Sequence, residues 1–267
     1  MEQVITSSLH QVLHRLIHSL PLDKLIIQSP PPFAFPATIL ILVLSSAAKN
    51  EERSEARRVW ANPVKSRAIQ NGTVRVIFLI GNLPFNGAAN ITQADIQVRN
   101  EMYGDLLQVN IPEYYANIVH KLSIGFLWAT SPNGPNSAFI IKLDIDVAVQ
   151  VDRLLEQIAG MKEEETINVL WGLISSNTPV ARDHSSPWQV IEPEDAFFTG
   201  IVAESAGVKR RCGSQFMAFE RVRGNHGNVC PILDIPHSIV TRDHYTGKFD
   251  MENAWNELLT GRNYTEP

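Results

Sequence analysis

Cysteine is nearly absent: Cys212 and Cys230 are the only two in 267 residues. Two thiols cannot build a disulfide framework or a four-thiolate zinc site, although they can form one bridge or stay buried as free thiols. Basic residues are too few for general nucleic-acid affinity, since Lys plus Arg is 23 against 28 Asp plus Glu and the formal net charge is -5. Charged residues make up only 19% and hydrophobic ones 44%, which excludes wholesale disorder and allows one large core or two small ones. A long hydrophobic run is also lacking. The most apolar stretch, FAFPATILILVLSSAA at residues 33–48, is broken by Pro36 and Thr38 and falls short of the roughly 20 apolar residues that a bilayer helix needs. Nor do residues 1–20 hold a compact apolar segment of the kind a signal peptide requires, because histidines run through their middle.

What residues 1–20 do have is helical period. Leu9, Val12, Leu13, Leu16, Ile17 and Leu20 recur at spacings of three and four, started by Ser7 or Ser8 and stopped by Pro21. His10, His14 and His18 line another face, where a solvated helix surface is the plain reading because no carboxylate or cysteine completes a ligand set. Pro30, Pro31, Pro32 and Pro36 then read as a stiff linker. From residue 37 onward strand and helix patterns alternate. Strands are predicted at 37–45, 73–80, 106–109, 138–143 and 167–174, and helices at 51–60, 91–101, 114–130, 151–161 and near 251–259. Such an order predicts an α/β fold, a Rossmann-like, mostly parallel sheet flanked by helices, whose ligands sit beyond the carboxyl ends of the strands.

That rule directs attention to Asp144-Ile145-Asp146, which follows the strand AFIIKL. Two carboxylates at i and i+2, leaving a buried strand, can converge on one hard divalent cation or on a metal and a ribose hydroxyl. A solvated turn with an Asx bond is the plainer alternative. A second acidic pair, Glu194-Asp195, precedes the apolar run at 196–206. It can cap a helix, or supply a general base that takes a proton from an attacking hydroxyl.

Together these segments resemble the beta-1,3-galactosyltransferase family, the inverting glycosyltransferases that include beta-1,3-N-acetylglucosaminyltransferases. The family's R-x-x-I-R-x-T-W helix is matched by Arg53, Arg57 and Trp60, and RVIFLIG resembles its second strand. Its E-x-x-x-Y-G-D-I-L-Q and D-x-Y-x-N-L-x-x-K segments are matched through Glu101, Tyr103, Gly104, Asp105, Tyr115, Asn117 and Lys121. Lys142-Leu143-Asp144-Ile145-Asp146-Val147 resembles K-x-D-D-D-V with Ile145 in place of the middle aspartate, and Glu194-Asp195 with Gly200 resembles E-D-V-x-x-G.

The resemblance implies a GT-A-like nucleotide-sugar fold over residues 37–267, following an N-terminal helix and proline-rich linker at 1–36. It implies a UDP-sugar donor, Mn²⁺ as cofactor and a glycan acceptor, with galactose or N-acetylglucosamine transferred in beta-1,3 linkage with inversion. Asp146 is then the leading metal ligand, and Asp144 shares the metal or holds the nucleotide. Arg53 lies near the nucleotide, and Asp195 deprotonates the acceptor hydroxyl. The family is normally anchored in the Golgi membrane, so a Golgi lumenal or membrane location is expected, although no anchor helix is visible here.

Two departures from the family open a second reading. Its glycine- and tyrosine-rich stretch before the acidic pair is missing between Val190 and Glu194, and the nearest counterpart of its metal-binding histidine is His226, which lies farther along in the loop-like RGNHGN. A non-catalytic remnant or binding protein of the same fold is the alternative these departures allow. Asn-x-Ser/Thr triplets at Asn71, Asn90 and Asn263 agree with a lumenal setting. Lys209, Arg210 and Arg211 read as a solvated basic face.

Overall fold

A computed structural model describes residues 21–32, 36–83, 91–172, 198, 203–205, 207–218, 230, 233, 237–241 and 250–260. The histidine-bearing helix predicted within residues 1–20 therefore falls outside the described residues. The chain divides into two compact units, residues 1–54 with 69–145, and residues 55–68 with 146–267.

The first unit is built on a five-stranded sheet. Its strands are β1 (Ile26–Gln28), β2 (Ile39–Leu44), β3 (Val74–Ile80), β4 (Leu106–Val109) and β5 (Phe139–Asp144), laid out in the order β1-β4-β3-β2-β5. β2 pairs in parallel with both β3 and β5, β3 pairs in parallel with β4, and only β1 is antiparallel, against β4. The mostly parallel α/β sheet expected from the alternating pattern is thus present. The sheet begins ahead of the prolines, however, because Ile26 pairs with Val109 and Gln28 with Gln108.

ILILVL forms the centre for a simple reason. Ile39, Leu40, Ile41, Leu42 and Val43 are all 0% exposed, and consecutive residues of a strand point to opposite faces, so both faces of the sheet are covered there. Burying five such side chains contributes on the order of 10 kcal/mol before the opposing chain entropy. Helix α1 (Asn50–Val59) follows β2, and α2 (Gln93–Tyr103) precedes β4. Helix α3 (Ile118–Ala129) packs on β2, β3 and β4. At Gly125 an added Cβ would lie 2.9 Å from side-chain carbons of Leu42 and Leu79, so the missing side chain sets how closely α3 approaches the sheet.

Local signals fix the ends of α2. Thr92 and Asp95 form a reciprocal capping box, and Gly104 closes the helix at φ 64, where its amide donates to the Asn100 carbonyl. This left-handed position is the physical reason for glycine in the Tyr103-Gly104-Asp105 segment. It turns the chain so that the Asp105 carbonyl accepts from the Phe78 amide at 2.8 Å and β4 runs beside β3.

The second unit holds two small sheets. β6 (Val147–Val149), β9 (Met217–Ala218) and β10 (Ile239–Thr241) form one, ordered β6-β10-β9, and β7 (Val169–Gly172) pairs in parallel with β8 (Lys209–Cys212) in the other. Helices α4 (Val151–Ala159) and α5 (Met251–Thr260) contribute Val151, Leu154, Ile158, Met251, Ala254 and Leu258 to its core, with Val149 and Ile239. Arg153 clamps these parts by donating to the carbonyls of His237 at 2.6 Å and Leu258 at 2.7 Å.

Of the two states left open for the cysteines, the bridge is the one found: Cys212 and Cys230 are disulfide-bonded, with their Cα atoms 5.3 Å apart. A closed loop of this length restricts the unfolded chain by about 3 kcal/mol. Cys212→Ala should lower unfolding stability by that amount in urea titrations, and an unchanged midpoint would show that the bridge contributes nothing.

Candidate active site

Chain order gives the location. From β2 the sheet grows outward through β3 and β4, and the chain then returns to place β5 on the other side of β2. The carboxyl ends of β2 and β5 therefore flank the point where strand order reverses, the position at which open parallel sheets bind ligands. Leu44, the last residue of β2, stands opposite Asp144, the last residue of β5.

On the β2 side, the loop at 45–47 is held by buried charge. Arg53 is 0% exposed. Its guanidinium donates to Ser45 Oγ at 3.1 Å, to the Ser46 carbonyl, and to the Ala47 carbonyl at 3.1 Å. Lys121, on α3, donates to the Ser45 carbonyl at 2.8 Å and pairs with Glu113 at 2.7 Å. Glu113 in turn accepts from the amides of Ala47 at 3.1 Å and Gly81 at 2.5 Å. One carboxylate thus ties together the chain leaving β2, the chain leaving β3 and helix α3. Burial holds the Lys121 ammonium below its ordinary pKa, against the opposing pull of Glu113.

On the β5 side, Asp144 is half exposed and lies 3.2 Å from the Lys142 ammonium. Ile145 is 4% exposed, and Asp146 follows it as the second residue of the turn. The alternation explains why isoleucine suits the middle position: its side chain is buried, where an unpartnered carboxylate would be costly. Among the described residues no group of three or more His, Cys, Asp or Glu gathers as a metal site. A hard carboxylate such as that of Asp144 suits Mg²⁺ or Mn²⁺ rather than a soft metal.

Of the residues singled out in the sequence, Asp144 stands at the end of β5, and Arg53 reaches from α1 to the loop that leaves the neighbouring strand β2. Glu194, Asp195 and His226 lie outside the described residues, as does the stretch from Val190 to Glu194. Trp128 is 1% exposed, whereas half-buried Trp171 donates its Nε1 to the Glu165 carbonyl at 3.0 Å. The basic stretch in β8 is only partly solvated, since the Arg211 guanidinium lies 5.8 Å from the centre of the Trp171 ring. Glu113 was not legible as a site residue. The signal available was its place eight residues before Lys121, where the family pattern has aspartate.

Residues 51–198, more than half of the chain, match the galactosyltransferase family. The chain belongs to that family. It is 29% identical to beta-1,3-galactosyltransferase 5 of Gorilla gorilla gorilla over 164 residues, which is 61% of this chain and 50% of that one. The human protein of the same name is 28% identical over 164 residues, covering 61% of this chain and 48% of its own. Lactosylceramide 1,3-N-acetyl-beta-D-glucosaminyltransferase of Rattus norvegicus is 24% identical over 153 residues, 57% and 40% respectively. The chain spans about half the length of the curated relatives it matches. The parallel sheet flanked by helices fits the GT-A-like architecture expected of a galactosyltransferase. No described helix is long and apolar enough to cross a membrane.

Proposed function

We propose that this galactosyltransferase-family chain moves galactose or N-acetylglucosamine from a UDP-sugar to a sugar acceptor in beta-1,3 linkage with inversion, in a Golgi lumenal or membrane setting. One observation carries the reading: the buried-charge loop at 45–47 and Asp144 stand at the carboxyl ends of the paired strands β2 and β5, at the switch point of the sheet. The 45–47 loop and Arg53, acting through that loop, position the nucleotide. Asp144 and Asp146 hold the divalent cation, Mn²⁺ by preference. When bound, that ion supplies charge neutralisation at the diphosphate leaving group. Asp195 accepts the proton of the acceptor hydroxyl as it attacks the anomeric carbon.

The test is UDP-sugar binding and transfer with and without Mn²⁺. Asp146→Ala is expected to weaken Mn²⁺-dependent UDP-sugar binding about tenfold, about 1.4 kcal/mol. Asp195→Asn is expected to lower transfer about a hundredfold while leaving UDP binding unchanged. Transfer undiminished in both variants would refute the assignment of roles. UDP binding without transfer in the unaltered chain would instead favour a non-catalytic binding protein, the reading supported by the absent stretch before Glu194.

A further inference from the structure

We infer that Asn71 is an acceptor of an N-linked glycan. Asn71-Gly72-Thr73 is one of three such triplets, and it is the one that lies among the described residues. Its geometry suits modification. Asn71 is exposed, in the turn between the short helix Arg67–Gln70 and β3. Gly72 has φ 78, a left-handed conformation that folds Thr73 back over the asparagine. The Asn71 carboxamide oxygen accepts from the Thr73 amide at 3.0 Å and from the Thr73 hydroxyl at 2.7 Å. The amide nitrogen that would carry the sugar makes no hydrogen bond to another described residue.

In the transfer, that nitrogen forms a bond to the anomeric carbon of a polyprenyl-diphosphate-linked oligosaccharide. The carbon–oxygen bond to the diphosphate breaks, the lipid diphosphate leaves, and the nitrogen loses one proton to a base of the modifying transferase. Two features keep the modified protein functional. Thr73 is anchored through its backbone, its carbonyl accepting from Thr38 and Ile39 at 2.8 and 3.2 Å, so the turn does not depend on the asparagine side chain. Asn71 also lies at the amino end of β3, about 20 Å of extended strand from the carboxyl ends where the candidate active site stands. An independent observation points to the same compartment: the bridge between Cys212 and Cys230 is a feature of oxidising lumens.

The inference rests on the lumenal part of the proposed function, and the experiment separates the two. The full chain is expressed in eukaryotic cells behind a cleavable secretory leader, which forces entry, and oxidation of Cys212 and Cys230 is read in the same sample. Glycopeptide mass spectrometry is expected to find Asn71 occupied in most molecules. Asn71→Gln and Thr73→Ala should abolish that occupancy, Thr73→Ser should retain it, and UDP-sugar binding should be unchanged in all three. An oxidised, secreted chain with bare Asn71 would overturn the inference while leaving the lumenal reading intact. The chain expressed with its own N-terminus tests the lumenal reading separately.

Discussion

Replacing Lys121 by methionine should destabilise the protein by about 3–5 kcal/mol, because it strands the buried carboxylate of Glu113 without its cation. The side chains are 5% and 14% exposed, so water cannot substitute for the lost partner. Methionine keeps most of the stem volume, so the loss reports charge rather than packing. Glu113→Gln leaves the complementary problem, an unpaired buried ammonium, and here pH gives a second readout. A base whose folded pKa is depressed is protonated more readily in the unfolded chain between its folded pKa and 10.5, so stability rises with pH across that window. Glu113→Gln should therefore regain stability relative to the unaltered protein as pH is raised toward 10.5, because an unpaired lysine can then enter the fold uncharged. The double variant Glu113→Leu with Lys121→Met should recover only part of the loss, since it removes the stranded charge but leaves the amides of Ala47 and Gly81 without their acceptor. Urea denaturation measures all three. Single variants within about 0.5 kcal/mol of the original, the range of ordinary surface changes, would contradict the burial of the pair.

Arg53→Met should cost a comparable amount, about 3–5 kcal/mol, for a different reason. The guanidinium satisfies Ser45 Oγ and the carbonyls of Ser46 and Ala47, and each buried acceptor left without a donor costs about 1–3 kcal/mol. Arg53→Lys should fall between, because a single ammonium cannot span three acceptors as the planar fork does. The effect should reach UDP binding as well. Calorimetric titration of the folded variant at low temperature is expected to show weaker UDP affinity with an unchanged number of sites. Arg53→Lys indistinguishable from the original in both stability and UDP affinity would show that the fork geometry is not needed.

The parts of this fold that were readable in the sequence are those whose pattern is local and strong. β2, β3 and β5 are contiguous aliphatic runs bounded by polar turns, and their predicted limits differ from the observed ones by one or two residues. β4 was placed at its observed limits. Asp144 was reached because strand ends carry chemistry in parallel sheets, and Arg53 through the resemblance of its helix to the family's R-x-x-I-R-x-T-W segment. The burial of Arg53 was not readable, since a charged residue in the polar helix NEERSEARRV gives no local sign that it faces inward. β6, β9 and β10 were missed for another reason. They are two or three residues long, and β10 pairs with partners about twenty and ninety residues away, so no periodic pattern develops. The helix predicted at 114–130 opens instead as a 3₁₀ turn at Tyr115–Asn117, where Asn117 Nδ2 donates to the Pro112 carbonyl.

The short antiparallel strand at Ile26–Gln28 has a bearing on how the margin of the first sheet is covered. Without it, β4 would present a bare parallel edge to solvent, a template on which any extended peptide could add. Three residues followed, after Ser29 alone, by Pro30, Pro31 and Pro32 make a poor template in turn, because prolines have no amide to continue the ladder. Trimming the chain back to the prolines would thus remove little of the core yet uncover the adhesive margin of the sheet, with edge-to-edge self-association as the expected outcome.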